Sequence, residues 1–157
     1  ISLLVLPPFR AHNEHPSELL FEEPFVFAVA AGNKKVGKKL TVEHLRRLPH
    51  VVLRFGAYTE TPHTKLLRDI GYDGGIPVYA SNFEVLPDFV ADTDRIALVP
   101  RTLAKAAAKR LPLRLFDPPV PVPNLVELIQ WHSSVDDDPA VLWVRRLLHE
   151  AVAKLPA

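Results

Sequence analysis

The sequence predicts an α/β fold laid out as two lobes. Strand-like and helix-like patterns alternate along the chain. The middle, residues 32–117, holds a compact strand–helix set that reads as one complete lobe. Flanking it, segments 25–30 and 124–132 are rich in strand character and read as two crossovers to a second lobe built from the chain's ends. That plan leaves a cleft between lobes. The boundaries are read as 1–27 with 120–157 for one subdomain and 28–119 for the other.

The elements follow from local chemistry. Residues 1–6, ISLLVL, form a continuous apolar run expected of a strand buried on both faces, ended by Pro7-Pro8. Residues 19–21 and 25–30 are strand-like and split by Pro24, which cannot donate to a ladder. Thr41 caps a helix running to Leu48, and Pro49 stops it. Residues 50–55 read as a strand leading into Gly56. Thr61-Pro62 opens a helix that Gly71 closes. After the Asp73-Gly74-Gly75 turn come strand 76–80, helix 82–91, strand 95–99 and the Ala/Lys-rich helix 101–110. Residues 113–116 are a short strand, and PPVPVP at 118–123 is a stiff connector. A strand over 124–132 precedes a helix over 139–155, capped by Asp138-Pro139. Val141, Leu142, Val144, Leu147, Leu148, Val152 and Leu155 give that helix one broad apolar stripe.

Composition narrows the function classes. With 157 residues, 48% of them hydrophobic, the chain has material for a real core. Nineteen Lys and Arg against 18 Asp and Glu leave no chain-wide electrostatic footprint for nucleic acid. The run Lys34, Lys35, Lys38, Lys39 reads as a solvated loop. The absence of Cys excludes disulfides, thiolate nucleophiles and Cys-based metal sites. No apolar run reaches the roughly 18 residues of a membrane span. Ile1 opens directly in a core-like strand with no basic region before it, and the chain has no Met. It therefore reads as a piece of a longer protein, cut inside a domain.

Four stretches in order carry a family resemblance: LLFEEPFVFAVAAGN, LTVEHLRRLPHVVL, ASNFEVLPDFVADTDRIALVPRTLA and VELIQWHSSVDDDPAVLWVRRLL. They are similar to the C-terminal two-thirds of the effector-binding domain of LysR-type transcriptional regulators. The closing W-H-x5-D-P-A-x-x-W-x-R stretch and its DPPVPVP lead-in resemble the nodulation-regulator and naphthalene-regulator branch. The resemblance implies a periplasmic-binding-protein-like (type 2) fold of two Rossmann-like lobes joined by two crossover strands, one lobe incomplete here. It also implies a cytoplasmic homodimer or homotetramer and a small, aromatic effector in the cleft. DNA is expected to be contacted only through a winged helix-turn-helix domain that this chain does not contain. No cofactor, metal, membrane or catalytic role is expected.

Candidate effector contacts follow. Ser81 and Asn82 stand where strand 76–80 hands over to a helix, the end of a parallel sheet where small ligands sit. Capping accounts for one of them, and the resemblance implies that a polar side chain at Asn82 meets the effector. Phe83 and Pro100 flank the same edge. After strand 50–55, Phe55 reads as core, Gly56 permits close backbone approach, and Tyr58 offers an aromatic wall with a hydroxyl. In the other lobe Phe9 follows the first strand, and Gln130 and His132 share one face near the second crossover. His12, Glu14 and His15 lack further convergent ligands and read as a solvated loop. No nucleophile elbow, P-loop or dinucleotide fingerprint is present. Two other classes stay open: a solute-binding protein of the same fold, which a signal peptide upstream would reveal, and a small α/β enzyme, which loss of turnover in Asn82→Ala or His132→Ala would reveal.

Overall fold

The computed structural model describes residues 3–54 and 60–155. In chain order its elements are β1 (Leu3–Leu6), β2 (Ser17–Glu23), β3 (Phe25–Ala30), α1 (Val42–Arg47), β4 (His50–Leu53), α2 (Pro62–Asp69), β5 (Val78–Ala80), α3 (Leu86–Val90), β6 (Ile96–Pro100), α4 (Arg101–Ala108), β7 (Leu113–Phe116), β8 (Leu125–Trp131) and α5 (Pro139–Val152). Single 3-10 turns lie at Pro8–Arg10 and Ser133–Val135.

Prolines mark where the chain changes unit. One unit is Ile1–Glu23 with Asn124–Ala157, and the other is Pro24–Pro123. β2 and β3 run almost without a break in sequence, but Pro24 lacks the N–H that would carry one ladder through both. Each strand therefore belongs wholly to one sheet: β2 and β8 to a three-stranded sheet, β3 to a five-stranded one.

The first unit is an antiparallel sheet in the order β1-β8-β2, with α5 packed on one face. Leu20, Ile129, Trp131 and Val141 form its core, with Leu3, Leu148 and Val152 against them. Glu18 of β2 binds Arg145 of α5 through two bonds, of 3.0 and 2.6 Å. The Arg145 guanidinium also lies over the Trp131 ring, 3.6 Å from its centre. Two expectations change here. β1 is an edge strand, with Leu4 44% and Val5 48% exposed, because among the described residues it pairs only with β8. The α5 stripe is narrower than the sequence suggests: Leu142 and Leu147 are exposed, since at 100° per residue they point away from the face that carries Val141, Leu148 and Val152, and Leu155 is exposed beyond the helix end at Val152.

The second unit carries the mixed sheet β5-β4-β6-β3-β7. β4 runs parallel to β5 and β6, while β3 is antiparallel to β6 and β7. Alternation along the strands divides its core. Val26, Ala28, Val51, Leu53, Ala97 and Val99 meet Leu86 and Val90 of α3 and Ala104 of α4. Phe27, Val29, His50, Val52, Ile96 and Leu98 take the other face, where Leu45 of α1 and His63, Leu66 and Leu67 of α2 are buried.

Helix ends follow local rules. Thr41 and His44 form a reciprocal capping pair at α1, and Thr61 and Thr64 form one at α2. α2 closes in a Schellman motif: Gly71, at φ 65°, donates to the Arg68 carbonyl and Tyr72 to that of Leu67. Gly74 is required for contact, because a Cβ there would sit 2.7 Å from the Leu48 carbonyl oxygen. The helix expected over 82–91 is only Leu86–Val90. Pro87 has no N–H to bond back to Phe83, so it must sit in the first turn.

The Glu18–Arg145 pair anchors α5 to its sheet. Replacing Arg145 by Ala removes a bidentate ion pair, a ring contact and packing, and is expected to lower stability by about 2 kcal/mol in urea unfolding. The Arg145 bonds hold the Glu18 carboxyl below the usual carboxylate range. This contribution is therefore complete above the ordinary glutamate pKa and is lost as pH falls through and below it. The gap between wild type and variant should narrow in acid to what the ring contact and packing contribute.

Candidate functional site

The parallel strands β4, β5 and β6 end together at one edge of the five-stranded sheet. Leu53 pairs with Ala80, and the Arg54 N–H extends the ladder to the Ala80 carbonyl at 2.9 Å. From this edge β4 leads to α2 on one face, while β5 and β6 lead to α3 and α4 on the other. Helices that depart to opposite faces open a crevice at the carboxyl ends of the strands, the usual ligand position in such sheets.

The residues at the edge play unequal parts. Ser81 and Asn82 are exposed. Asn82 Oδ1 accepts the Val85 N–H at 3.2 Å, bracing the turn before α3. Its Nδ2 has no partner among the described residues, so the amide keeps a donor for a ligand. Phe83 is half-buried, its ring 5.8 Å from that of Phe25 and packed on the α3/α4 core. Pro100 is buried, opposite Phe25 in the ladder, and offers little surface. Phe55, Gly56 and Tyr58 lie outside the described residues.

Sequence reading passed over Arg54. It is exposed, and its guanidinium lies over the Tyr79 ring at 4.8 Å. The available signal was a cation closing a strand whose other four residues are all apolar or buried, HVVL. A second cation, Arg101, begins α4 directly after β6 and pairs with Asp117 at 2.7 Å. On the α2 side of the sheet, an open hollow of about 320 Å³ is lined by Thr64, Arg68, Tyr72 and Tyr79.

The candidates of the other unit serve mainly structure. Gln130 is buried and its amide is spent on the loop after β1: Oε1 accepts the His12 N–H at 3.0 Å, and Nε2 donates to the carbonyls of His12 and His15 at 2.9 and 3.4 Å. His132 Nδ1 accepts the Ser134 N–H at 3.1 Å, capping the 3-10 turn, and its ring lies 4.8 Å from that of His15. Phe9 is 65% exposed, with the Arg10 guanidinium 5.9 Å from its ring. Among the described residues no three His, Asp or Glu side chains converge as metal ligands, and no helix is long and apolar enough to cross a membrane.

A sequence model of the LysR substrate binding domain matches residues 1–153. Nodulation protein D 1 of Bradyrhizobium diazoefficiens is 34% identical over 156 residues, 99% of this chain and 50% of that protein. Nodulation protein D 3 of Rhizobium leguminosarum bv. phaseoli is 33% identical over 158 residues, 99% of this chain and 52% of that protein. The chain spans about half the length of the curated relatives it matches. The regulatory domain of MexT, a transcriptional activator in Pseudomonas aeruginosa, superposes with a TM-score of 0.77 at 23% identity, over 96% of this chain and 72% of that one. A probable transcriptional regulator from the same organism gives 0.82 at 19% identity, over 96% and 49%. These structural matches establish a periplasmic-binding-protein-like α/β fold.

The Gln130 tether has a measurable consequence. Gln130→Leu removes three hydrogen bonds that tie the loop after β1 to β8, and should cost about 2 kcal/mol in urea unfolding. Limited proteolysis should then cut first between residues 11 and 16.

Proposed function

The chain belongs to the LysR substrate-binding-domain family, and we propose that it is the ligand-sensing module of a DNA-binding transcription regulator. In this reading a small aromatic effector binds at the carboxyl edge of β4, β5 and β6. The observation that carries it is Asn82. Its Oδ1 is held by the Val85 N–H, so the side chain is fixed in place while Nδ2 stays available as a donor at the mouth of the crevice. A phenolic or carbonyl oxygen is the natural acceptor for that donor. Arg54 adds positive charge at the same edge and favours a phenolate or carboxylate on the effector. Ser81 supplies a second polar contact, and Phe83 an apolar edge. Phe55, Gly56 and Tyr58 are proposed from the sequence alone as further contacts, with the Tyr58 hydroxyl as a polar handle. Gln130 drops out, because its amide is already spent. Phe9 and His132 belong to the other unit and carry no part of this reading.

The near-balance of charge, 19 basic against 18 acidic residues, fits a sensor that leaves DNA contact to a separate domain. A cytoplasmic homodimer or homotetramer goes with that role. Leu66 and Leu67 of α2 are buried in their own unit, so of the apolar residues at 66, 67 and 70 only Ile70 is left to reach a partner. Sedimentation of the full-length protein as a monomer at tens of micromolar, about where weak dimers still populate, would count against the assembly.

Calorimetry tests the site. Asn82→Ala is expected to weaken binding of a confirmed effector by about 1–3 kcal/mol, since it leaves a buried polar partner unmatched. Unchanged affinity would remove Asn82 from the site.

A further inference from the structure

Between α2 and the sheet, two histidines are buried against each other. His50, the first residue of β4, has no exposed surface, and His63, in the first turn of α2, is 3% exposed. His50 Nε2 lies 2.8 Å from the Leu45 carbonyl oxygen of α1, and His50 Nδ1 lies 2.8 Å from His63 Nε2. A carbonyl can only accept, so His50 carries its proton on Nε2 and its Nδ1 is bare. That bare nitrogen must accept from His63, which fixes the His63 proton on Nε2. His63 Nδ1 is then a buried acceptor with no partner. With both rings neutral, only this arrangement of protons makes both contacts hydrogen bonds, and any further proton puts an N–H on the partnerless His63 Nδ1.

Among the described residues nothing nearby would hold a cation. β3 contributes the edge of Phe27, 6.2 Å from His50 and 5.8 Å from His63, and β6 places Ile96 beside His50. The turn after α2 contributes Tyr72, whose ring meets His50 edge-on at 5.1 Å; among the described residues it is the one titratable side chain outside the pair whose ring contact reaches it. The charged groups of α1 and of the turn are exposed and joined to one another, Arg47 to Glu43 and to Asp73, and Arg46 to Glu43. His44 is engaged at the Thr41 cap. Those of α2 are likewise paired at the surface, Lys65 with Asp69 and Arg68 with Glu60. A third proton therefore has two poor choices. On His50 Nδ1 it would face the His63 N–H, donor against donor, unless the His63 proton moved round to Nδ1. On His63 Nδ1 it would meet no acceptor, in the first turn of a helix whose N–H groups already make that end positive.

We propose that the His50–His63 pair is an acid-sensitive latch. While neutral, it holds the first turn of α2 to β4 and to the last turn of α1; protonation expels His63 and undocks that turn.

The sign follows from burial, which lowers the His50 pKa to about 4 and that of His63 well below its ordinary value. An undocked histidine, with a pKa near 6.5, takes up its proton first. The latch is at full strength above about pH 6.5 and weakens as pH falls toward about 4, by up to about tenfold per pH unit for each proton taken up.

Histidine ring ¹⁵N spectra and amide exchange on the full-length protein test this. At pH 7 both rings should appear as neutral Nε2–H tautomers. From pH 6.5 to 4.5 the protection of amides in α2 should fall steadily relative to those of α4, by up to about tenfold per pH unit for each proton taken up. His63→Gln keeps a donor for His50 Nδ1 but removes one titrating group, so its slope should be at least halved; if this variant does not fold, the wild-type spectra decide. A cationic ring at pH 7, a constant α2-to-α4 protection ratio, or loss of protection by both helices together would each overturn the latch. The measurement needs no effector, so its failure leaves the proposed site untouched.

Discussion

The second unit depends on the position of β4. Its four residues are all buried, and it is paired in parallel on both sides, with β5 and with β6. A parallel strand cannot be reached by a tight turn, so each connection must cross over the sheet with a helix. Crossing from β4 to β5 and then from β5 to β6 means moving in opposite directions. Right-handed crossovers then put α2 on one face and α3 on the other. The crevice at Arg54, Ser81 and Asn82 is a product of that topology before any side chain is chosen. Among the described residues of the other unit β1 and β2 each pair antiparallel with the distant β8, and no such edge arises.

What could be read from the sequence is what is decided within a few residues. Thr41, Thr61-Pro62, Gly71 and Asp138-Pro139 each satisfy or close a helix end through their own neighbours, and each does so in the structure. Asn82 was legible for the same reason, since its partner is three residues away. Errors began where a distant partner decides. The run at β1 looks doubly buried until one sees that it pairs on one side only. The outer leucines of α5 look like core until the direction of the sheet beneath it is known. Gln130 looks available until it meets a loop 118 positions earlier in the chain. His50 sits in a strand-like run where a polar residue is simply a blemish in the pattern. Only the fold brings His63 and the Leu45 carbonyl to it.

The candidate edge and the histidine pair share α2, and this joins them thermodynamically. The helix can be docked with both rings neutral, or undocked with His63 free to take a proton. An effector that contacts the segment after β4 differently in those two states shifts the balance by its difference in affinity and by nothing else. Linkage then makes the effect mutual: acid weakens the effector by the same factor by which the effector resists protonation. The factor is bounded by the protons that α2 excludes, about tenfold per pH unit for each. An effector held only by Asn82 and Ser81, on the α3 side of the crevice, would have no such difference and would be blind to pH. An effector that also leans on the β4–α2 segment would not. Acid sensitivity of binding thus reports which wall of the crevice the ligand uses.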